Sequence, residues 1–336
     1  MSTKLSPDSL LQLHFSFTAS RALTAAVQLG VFTPLTEGGR TAEALAALLE
    51  TSPRGMRMLL DALTALELLE KRGSHYELAP ISDEYLVAGR PGYIGTMFES
   101  EVGWCAWGSL TEAIRNGAPV QQIESESGAA EFFPKLLPSL HVLNQEPARK
   151  MAESLGIGSS LKGARTLDIA AGSGVWGIAV AAADPAATVT ALDFSAVLEI
   201  TKRYVEERSL SEQFKYLPGD LNTTPLAASS YDLILLGNIL HSEGAASSKQ
   251  LLQRAYQSLC PGGRVAIVEI VPNDLRSAPP FPLLFALNML VHTLHGDVFT
   301  IAEITAWLSE AGFAHVSTSD IGTSSPLIVG VKRALP

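Results

Sequence analysis

The sequence predicts an α/β protein in which a seven-stranded, mostly parallel sheet follows a helical N-terminal module. Three observations carry this reading. From Arg165 onward, short apolar runs alternate with helical stretches, the pattern of strands joined by crossovers. The first of these runs empties into a glycine-rich turn, Gly172-Ser173-Gly174, that opens a helix. Ahead of it, residues 10–78 read as three helices and a short strand.

In the N-terminal module, Leu13, Phe17, Leu23, Val27 and Val31 recur at helical spacing, with Gly30 as the stop. Thr41 caps a second, Ala/Leu-rich helix through Glu50. Ser52-Pro53 supplies the N-cap and first turn of a third helix, expected to run to Lys71 and close at Gly73. His75-Tyr76-Glu77-Leu78 then alternates as a strand. Such a winged-helix-like outline serves either DNA binding or docking against another chain. Residues 1–100 carry 8 basic and 11 acidic side chains, and the third helix offers only Arg54, Arg57 and Lys71, which is poor for reading DNA. Leu59, Leu60, Leu63, Leu66, Leu68 and Leu69 spread round most of that helix, so burial against a second copy is expected, giving a homodimer.

Residues 92–163 read as helical with a loop at 119–128, and they carry Trp104, Trp107, Phe132 and Phe133. These aromatics wall a pocket or fill a core between domains; both readings stay open. The strand candidates beyond are 166–169, 188–192, 214–217, 233–236, 265–268, 316–319 and 327–331. The expected division is therefore a docking module at 1–90, a helical linker contributing to the substrate pocket at 91–163, and the sheet domain at 164–336.

Composition narrows the function. With 336 residues, 47% hydrophobic and 17% charged, the chain is globular and large enough for two cores. A net charge of −10 opposes phosphate backbones and anionic membranes, so neither nucleic acid nor membrane is expected as a partner. Cys105 and Cys260 lack metal-ligand spacing and are too few for a disulfide framework; they point to buried thiols in a reducing, cytoplasmic compartment. The first eight residues lack the order of a signal peptide, and the apolar stretch 281–291 is too short to cross a bilayer, so it reads as a buried helix.

The turn Gly172-Ser-Gly174-Val-Trp-Gly177 brings free backbone amides close to a ligand. Alone it also satisfies a dinucleotide fingerprint. Two details set it apart: Ala170-Ala171 separate strand from glycines, and Asp168 precedes them, where a carboxylate repels a pyrophosphate and attracts an ammonium. Asp193 ends the next strand, where it can accept from both hydroxyls of a ribose. Gly219-Asp220-Leu221 ends the third, with Asp220 placed for an adenine amino group and Leu221 for the ring face. Open parallel sheets bind ligands at these strand ends.

These motifs resemble the class I methyltransferases, and within them the small-molecule O-methyltransferases that include caffeic acid and hydroxyneurosporene methyltransferases. The resemblance spans nearly the whole chain, through Leu167-Asp-Ile-Ala-Ala-Gly-Ser-Gly174, Leu192-Asp193, Gly219-Asp220, Tyr231-Asp232 and Pro261-Gly262-Gly263-Arg264. It implies a Rossmann-like domain behind a dimerisation module, with S-adenosylmethionine as cofactor and S-adenosylhomocysteine as product. By resemblance Asp168, Gly172 and Gly174 shape the methionine end of the pocket, Asp193 holds the ribose, and Gly219, Asp220 and Leu221 hold adenine. Asn238, just past the fourth strand, is expected among the cofactor residues.

Strand four runs into Gly237-Asn238-Ile239-Leu240-His241, which places His241 at the strand tip, suited to take the proton of an alcohol or phenol. The resemblance makes His241 the general base and Glu269 the acid that flanks it. The chain departs from the family where His-Asp-Trp becomes His241-Ser242-Glu243 and where a second flanking Glu falls at Val298, with Asp297 as a substitute. The segment 272–296 corresponds to the acceptor-binding insertion, with Phe285, Asn288, Met289 and His292 at helical spacing; Trp104, Phe133, His141 and Asn144 are upstream candidates. No divalent-metal site is expected from the spacing of His and acids. The expectation is thus methyl transfer to a hydroxyl of a hydrophobic aromatic or polyketide-like molecule. Its rivals are carbon methylation on the same scaffold, a winged-helix regulator with a degenerate ligand domain, and a nicotinamide dehydrogenase.

Overall fold

The computed structural model describes residues 6–99, 102–120 and 126–334, with backbone alone at 102 and 126–132. The chain divides into two compact units, Met1–Ser100 and Glu101–Pro336.

The first unit holds α1 (Pro7–Phe15), α2 (Phe17–Gln28), β1 (Arg40–Thr41), α3 (Ala42–Leu48), α4 (Pro53–Ala65), β2 (Leu69–Arg72), β3 (His75–Leu78) and α5 (Pro80–Tyr85). Thr41 and Ser52 cap α3 and α4 as expected, each hydroxyl accepting a backbone N–H of the first turn. Two expectations are corrected. The first helix breaks at Ser16 into α1 and α2. The third ends at Ala65 rather than Lys71, because Glu67 takes a left-handed conformation (φ 60°) and the chain turns into a hairpin round Gly73. Leu68 and Leu69 therefore lie off the helix, and α4 is one-sided, burying Met56, Leu60 and Leu63. Met58 and Leu66 stay exposed there, and the larger exposed apolar surface lies on α1, which exposes Leu10, Leu11, Leu13 and Phe15 and buries no residue.

The second unit continues with α6 (Val102–Gly108), α7 (Leu110–Asn116), α8 (Glu126–Leu155), β4 (Arg165–Ile169), α9 (Val175–Ala183), β5 (Thr188–Asp193), α10 (Ser195–Glu207), β6 (Phe214–Pro218), β7 (Tyr231–Gly237), α11 (Leu240–Ser258), β8 (Leu259–Val268), α12 (Pro280–His292), α13 (Ile301–Ala311), β9 (Ala314–Ser319) and β10 (Leu327–Val331). All seven expected strands form one sheet in the order β6-β5-β4-β7-β8-β10-β9. The strands from β6 to β8 run parallel, and β10 is antiparallel to both its neighbours. Side chains alternate across it: Leu233 and Leu235 join the core under α8, α9 and α10, while Ile234 and Leu236 join the core under α11 and α13. The chain leaves β4 toward β5 and β6 and returns on its other side as β7, so the order reverses at β4, the place where such sheets take ligands.

Part of the loop expected at 119–128 lies outside the described residues, and α8 is already helical at Glu126. The stretch 281–291 is helical as α12, but only Pro282, Met289 and Val291 are buried; Phe281 and Leu284 face outward, which corrects the expectation of a buried helix. The cysteines are corrected too: Cys105 is exposed and Cys260 half-buried. Among the described residues no helix is long and apolar enough to cross a membrane.

Candidate active site

The cradle forms where β4 and β7 end side by side. After β4 the chain turns through Ala170, Gly172 and Gly174, all with positive φ (56°, 58° and 76°), and enters α9. A Cβ on Gly174 would stand 2.7 Å from Thr201 Cγ2 and one on Gly172 3.1 Å from the end of Leu137, so the positive φ strains any side chain at both positions and Gly174 is also short of space. Asp168 is fully buried; its Oδ2 accepts the Gly177 N–H at 3.0 Å and its Oδ1 has no partner. Asn238, at φ 57° just past β7, likewise has a buried Oδ1 without a partner. Two unpartnered acceptors at adjacent strand ends suit a ligand that brings N–H donors, as the ammonium of an amino acid does. Burial pushes the Asp168 carboxyl up to about 7, opposed by the Gly177 N–H and reinforced by the charge of Asp193.

Asp193 closes β5 as expected, yet its carboxylate also holds the turn. Oδ2 accepts from Gly172 N at 2.9 Å and Oδ1 from Phe194 N at 2.8 Å, leaving further lone pairs for a ribose. Burial pushes it up to about 6. Past β6, Asp220 Oδ1 accepts the N–H groups of Asn222 and Thr223, and Arg254 from α11 donates to the carbonyls of Leu221 and Thr224. Leu221 packs against the core under α11. Gly219 is crowded, since a Cβ there would meet Thr224 Oγ1 at 2.0 Å.

His241 sits in the first turn of α11, 7% exposed, and Glu269 follows β8, fully buried. His241 Nδ1 lies 2.6 Å from Glu269 Oε1, and the backbone N–H of His241 donates to Oε2 at 3.2 Å. Ile270 N–H also donates to Oε1, so the carboxylate faces N–H donors on both oxygens. That arrangement makes Nδ1 the donor and leaves Nε2 to accept a proton. The ring of Phe285 meets the imidazole edge-on at 5.0 Å. Asp297, the expected substitute for the second acid, donates its N–H to the His241 carbonyl, while its carboxylate pairs with Arg276 at 3.5 Å and caps Val298 N. Val298 is fully buried.

The other expected acceptor residues divide. Trp107 Nε1 donates to Asn288 Oδ1 at 3.0 Å, tying α6 to α12, and His292 Nδ1 bonds the Asn288 carbonyl at 2.8 Å. Asn288 and His292, expected to await a ligand, thus have partners within the protein. Asn144 Nδ2 bonds Leu140 O in its own helix, Met289 is buried, Trp104 is exposed and Phe133 half-buried. The side chain of Phe132 lies outside the described residues. His141 turns to the glycine turn, its Nδ1 3.1 Å from Ser173 Oγ and its ring stacked on Tyr204. Sequence reasoning passed over Ser173, Tyr204 and Thr201, whose Oγ1 donates to Gly172 O at 2.7 Å. The helical spacing of Tyr204 and Thr201 on α10 was the one available signal.

Residues 145–314 match the model of the O-methyltransferase domain, and residues 11–88 that of the O-methyltransferase dimerisation domain. The chain is 32% identical to the tetracenomycin polyketide synthesis 8-O-methyl transferase of Streptomyces glaucescens, over 97% of both proteins. It is 30% identical to the 3-hydroxy-5-methyl-1-naphthoate 3-O-methyltransferase of Streptomyces sahachiroi, over 97% of this chain and 95% of that one. Among solved structures, human N-acetylserotonin methyltransferase in complex with SAM superposes with a TM-score of 0.85 at 26% identity, covering 99% of this chain and 100% of that one.

Proposed function

The chain belongs to the O-methyltransferase family, and from that premise we propose that it methylates a hydroxyl of a hydrophobic aromatic or polyketide-like small molecule. It is an enzyme whose methyl donor is S-adenosylmethionine. The observation that carries the hydroxyl reading is the buried His241–Glu269 pair with Nε2 left over. The relatives' names, a polyketide and a naphthoate enzyme, support an aromatic acceptor.

The donor supplies an electrophilic methyl group on a sulfonium sulfur. Asp168 and Asn238 receive its ammonium, Gly172 and Gly174 let the backbone approach its amino-acid end, Asp193 takes the ribose, and Gly219, Asp220 and Leu221 take the adenine. Nε2 of His241 accepts the acceptor's hydroxyl proton as the new O–C bond forms and the S–C bond breaks, and Glu269 stabilises the imidazolium that results. Phe285 shapes the space beside the base, and Trp104, Phe133, His141, Asn144, Asn288, Met289 and His292 complete or brace the acceptor and donor walls. Dimerisation belongs to 1–90, the helical linker to 91–163 and catalysis to 164–336, in a cytoplasmic homodimer.

The test offers the purified protein methyl-labelled S-adenosylmethionine and a panel of phenolic polycyclic acceptors, with products mapped by mass spectrometry and NMR. Label on an acceptor oxygen is the expected result. Label found only on carbon or nitrogen overturns the assignment.

A further inference from the structure

His141, expected from sequence at the acceptor, turns instead to the glycine turn of the donor cradle. It is 3% exposed, on α8, and a buried polar ring needs a reason to be there. Its Nδ1 lies 3.1 Å from Ser173 Oγ, inside the turn between Gly172 and Gly174, and Ser173 is itself buried. The ring lies flat on Tyr204 of α10, centroids 3.8 Å apart and planes 7° from parallel, and Arg203 covers that tyrosine at 5.0 Å. The turn is therefore gripped from two helices. From α10, Thr201 Oγ1 donates to Gly172 O; from α8, Leu137 packs 3.1 Å from where a Gly172 Cβ would stand, and His141 holds Ser173 one turn further on.

We propose that His141 is a positioning residue for the methyl donor, acting through Ser173 to fix the turn whose backbone amides meet the donor's amino-acid end. This rests on the reading of that turn as the donor site. The arrangement requires a neutral ring, since a cation in an apolar slot beside two arginines is penalised. Burial first, then Arg208 and Arg203, hold His141 down to about 4, so it is neutral at ordinary pH. A neutral imidazole offers one donor and one acceptor, and the Ser173 hydroxyl complements either. Without the bond, a turn that carries three positive-φ residues loses one of its few side-chain anchors.

The test is calorimetric binding of S-adenosylhomocysteine to the full-length protein, with the Michaelis constant for S-adenosylmethionine read alongside. His141→Phe keeps a ring on Tyr204 and removes the bond; affinity should fall about five- to tenfold, as for one lost hydrogen bond, and the Michaelis constant for the donor should change more than kcat does. His141→Asn, whose amide reaches where Nδ1 stood, should recover most of the loss. Ser173→Ala should reproduce His141→Phe, and the double variant should be no worse than either, because both delete one contact. Should His141→Phe not fold, Ser173→Ala against His141→Asn carries the same comparison. Wild-type protein that binds no S-adenosylhomocysteine overturns the donor-site reading and this one together. Wild-type affinity in His141→Phe or Ser173→Ala, or no recovery in His141→Asn, overturns this one alone.

Discussion

Glu269 holds His241 at two points: one oxygen takes the imidazole Nδ1 at 2.6 Å, and the other takes the backbone N–H of the same residue at 3.2 Å. Ring and main chain are thus located by one carboxylate, which fixes the direction in which Nε2 faces. His241→Ala should lower turnover by about a hundredfold to ten-thousandfold, the usual contribution of a positioned base. Binding of S-adenosylhomocysteine should stay within about twofold, since the cradle residues are separate. Glu269→Gln should cost less, keeping size and some hydrogen bonds. Single-turnover rates and calorimetry check both, and full activity in His241→Ala would remove the base.

How far this site could be read from sequence follows from what each residue needs. Asp168, Asp193, Asp220 and His241 sit at strand ends, and strand ends are legible because buried parallel strands are short unbroken apolar runs. The end of α4 was not legible, because Leu66, Leu68 and Leu69 continue a helical pattern that the left-handed Glu67 interrupts. Burial of Cys105 and of Phe281 was misjudged for a related reason: an apolar side chain on a helix reports amphipathicity, not which face is covered. Contacts between distant segments left no trace at all. Trp107 and Asn288 are 181 positions apart, and His141 finds Ser173 only when α8 lies on the turn.

Asp193→Ala should weaken S-adenosylhomocysteine binding by at least about tenfold, or ~1.4 kcal/mol, through the loss of charge-assisted bonds. The structure adds a second cost, because the same carboxylate accepts from Gly172 N and Phe194 N and so shapes the turn. Asp193→Asn, which keeps one carbonyl oxygen, should lose less. Calorimetry on folded variants decides it, and unchanged affinity in Asp193→Ala takes that residue out of the site.

Asp168 should make donor binding release protons. Its carboxyl is raised from 3.8 to about 7 in the donor-free protein, so near pH 7 it is about half protonated, whereas pairing with an ammonium requires the charged form. Binding of S-adenosylhomocysteine should then release about half a proton at pH 7 and strengthen as pH rises through that region. The sign for stability is opposite. A raised folded-state pKa favours the donor-free fold below about pH 4, and that contribution is lost as pH climbs toward 7. Calorimetry in buffers of different ionisation enthalpy counts the protons. Asp168→Asn should abolish the release and flatten the pH dependence; a release that persists in it points to another group.

The proposed dimer should depend on α1, whose Leu10, Leu11, Leu13 and Phe15 are exposed and whose every residue lies outside the core of its unit. Light scattering of the wild type should give twice the chain mass of 35.7 kDa. Leu10→Glu with Leu13→Glu, one helical turn apart, places two like charges on one face of α1 and should shift the protein toward monomer at micromolar concentration, because unpaired charge is costly in an apolar interface. The melting temperature of the isolated monomeric unit should change little, since no core contact is touched. An unaltered dimer in this variant would place the interface elsewhere.

Restoring an acid where the resemblance expects one should fail. Val298 is fully buried behind Asp297, whose carboxylate is already spent on Arg276 and on the Val298 N–H, and Gly296 packs so closely that a Cβ there would lie 2.6 Å from the His241 carbonyl. Val298→Glu inserts a longer, ionisable side chain into that packing without a prepared cation. Burying an unpaired polar or charged group costs several kcal/mol, about 2–5 here by the usual range, and overpacking adds to it. The variant should therefore melt well below wild type and turn over more slowly, with no gain from a second carboxylate beside the base. Thermal melts and steady-state rates read the two effects. Higher kcat at wild-type stability would mean that the pocket beside His241 has room for the missing acid, and that Glu269 alone does not set the strength of the base.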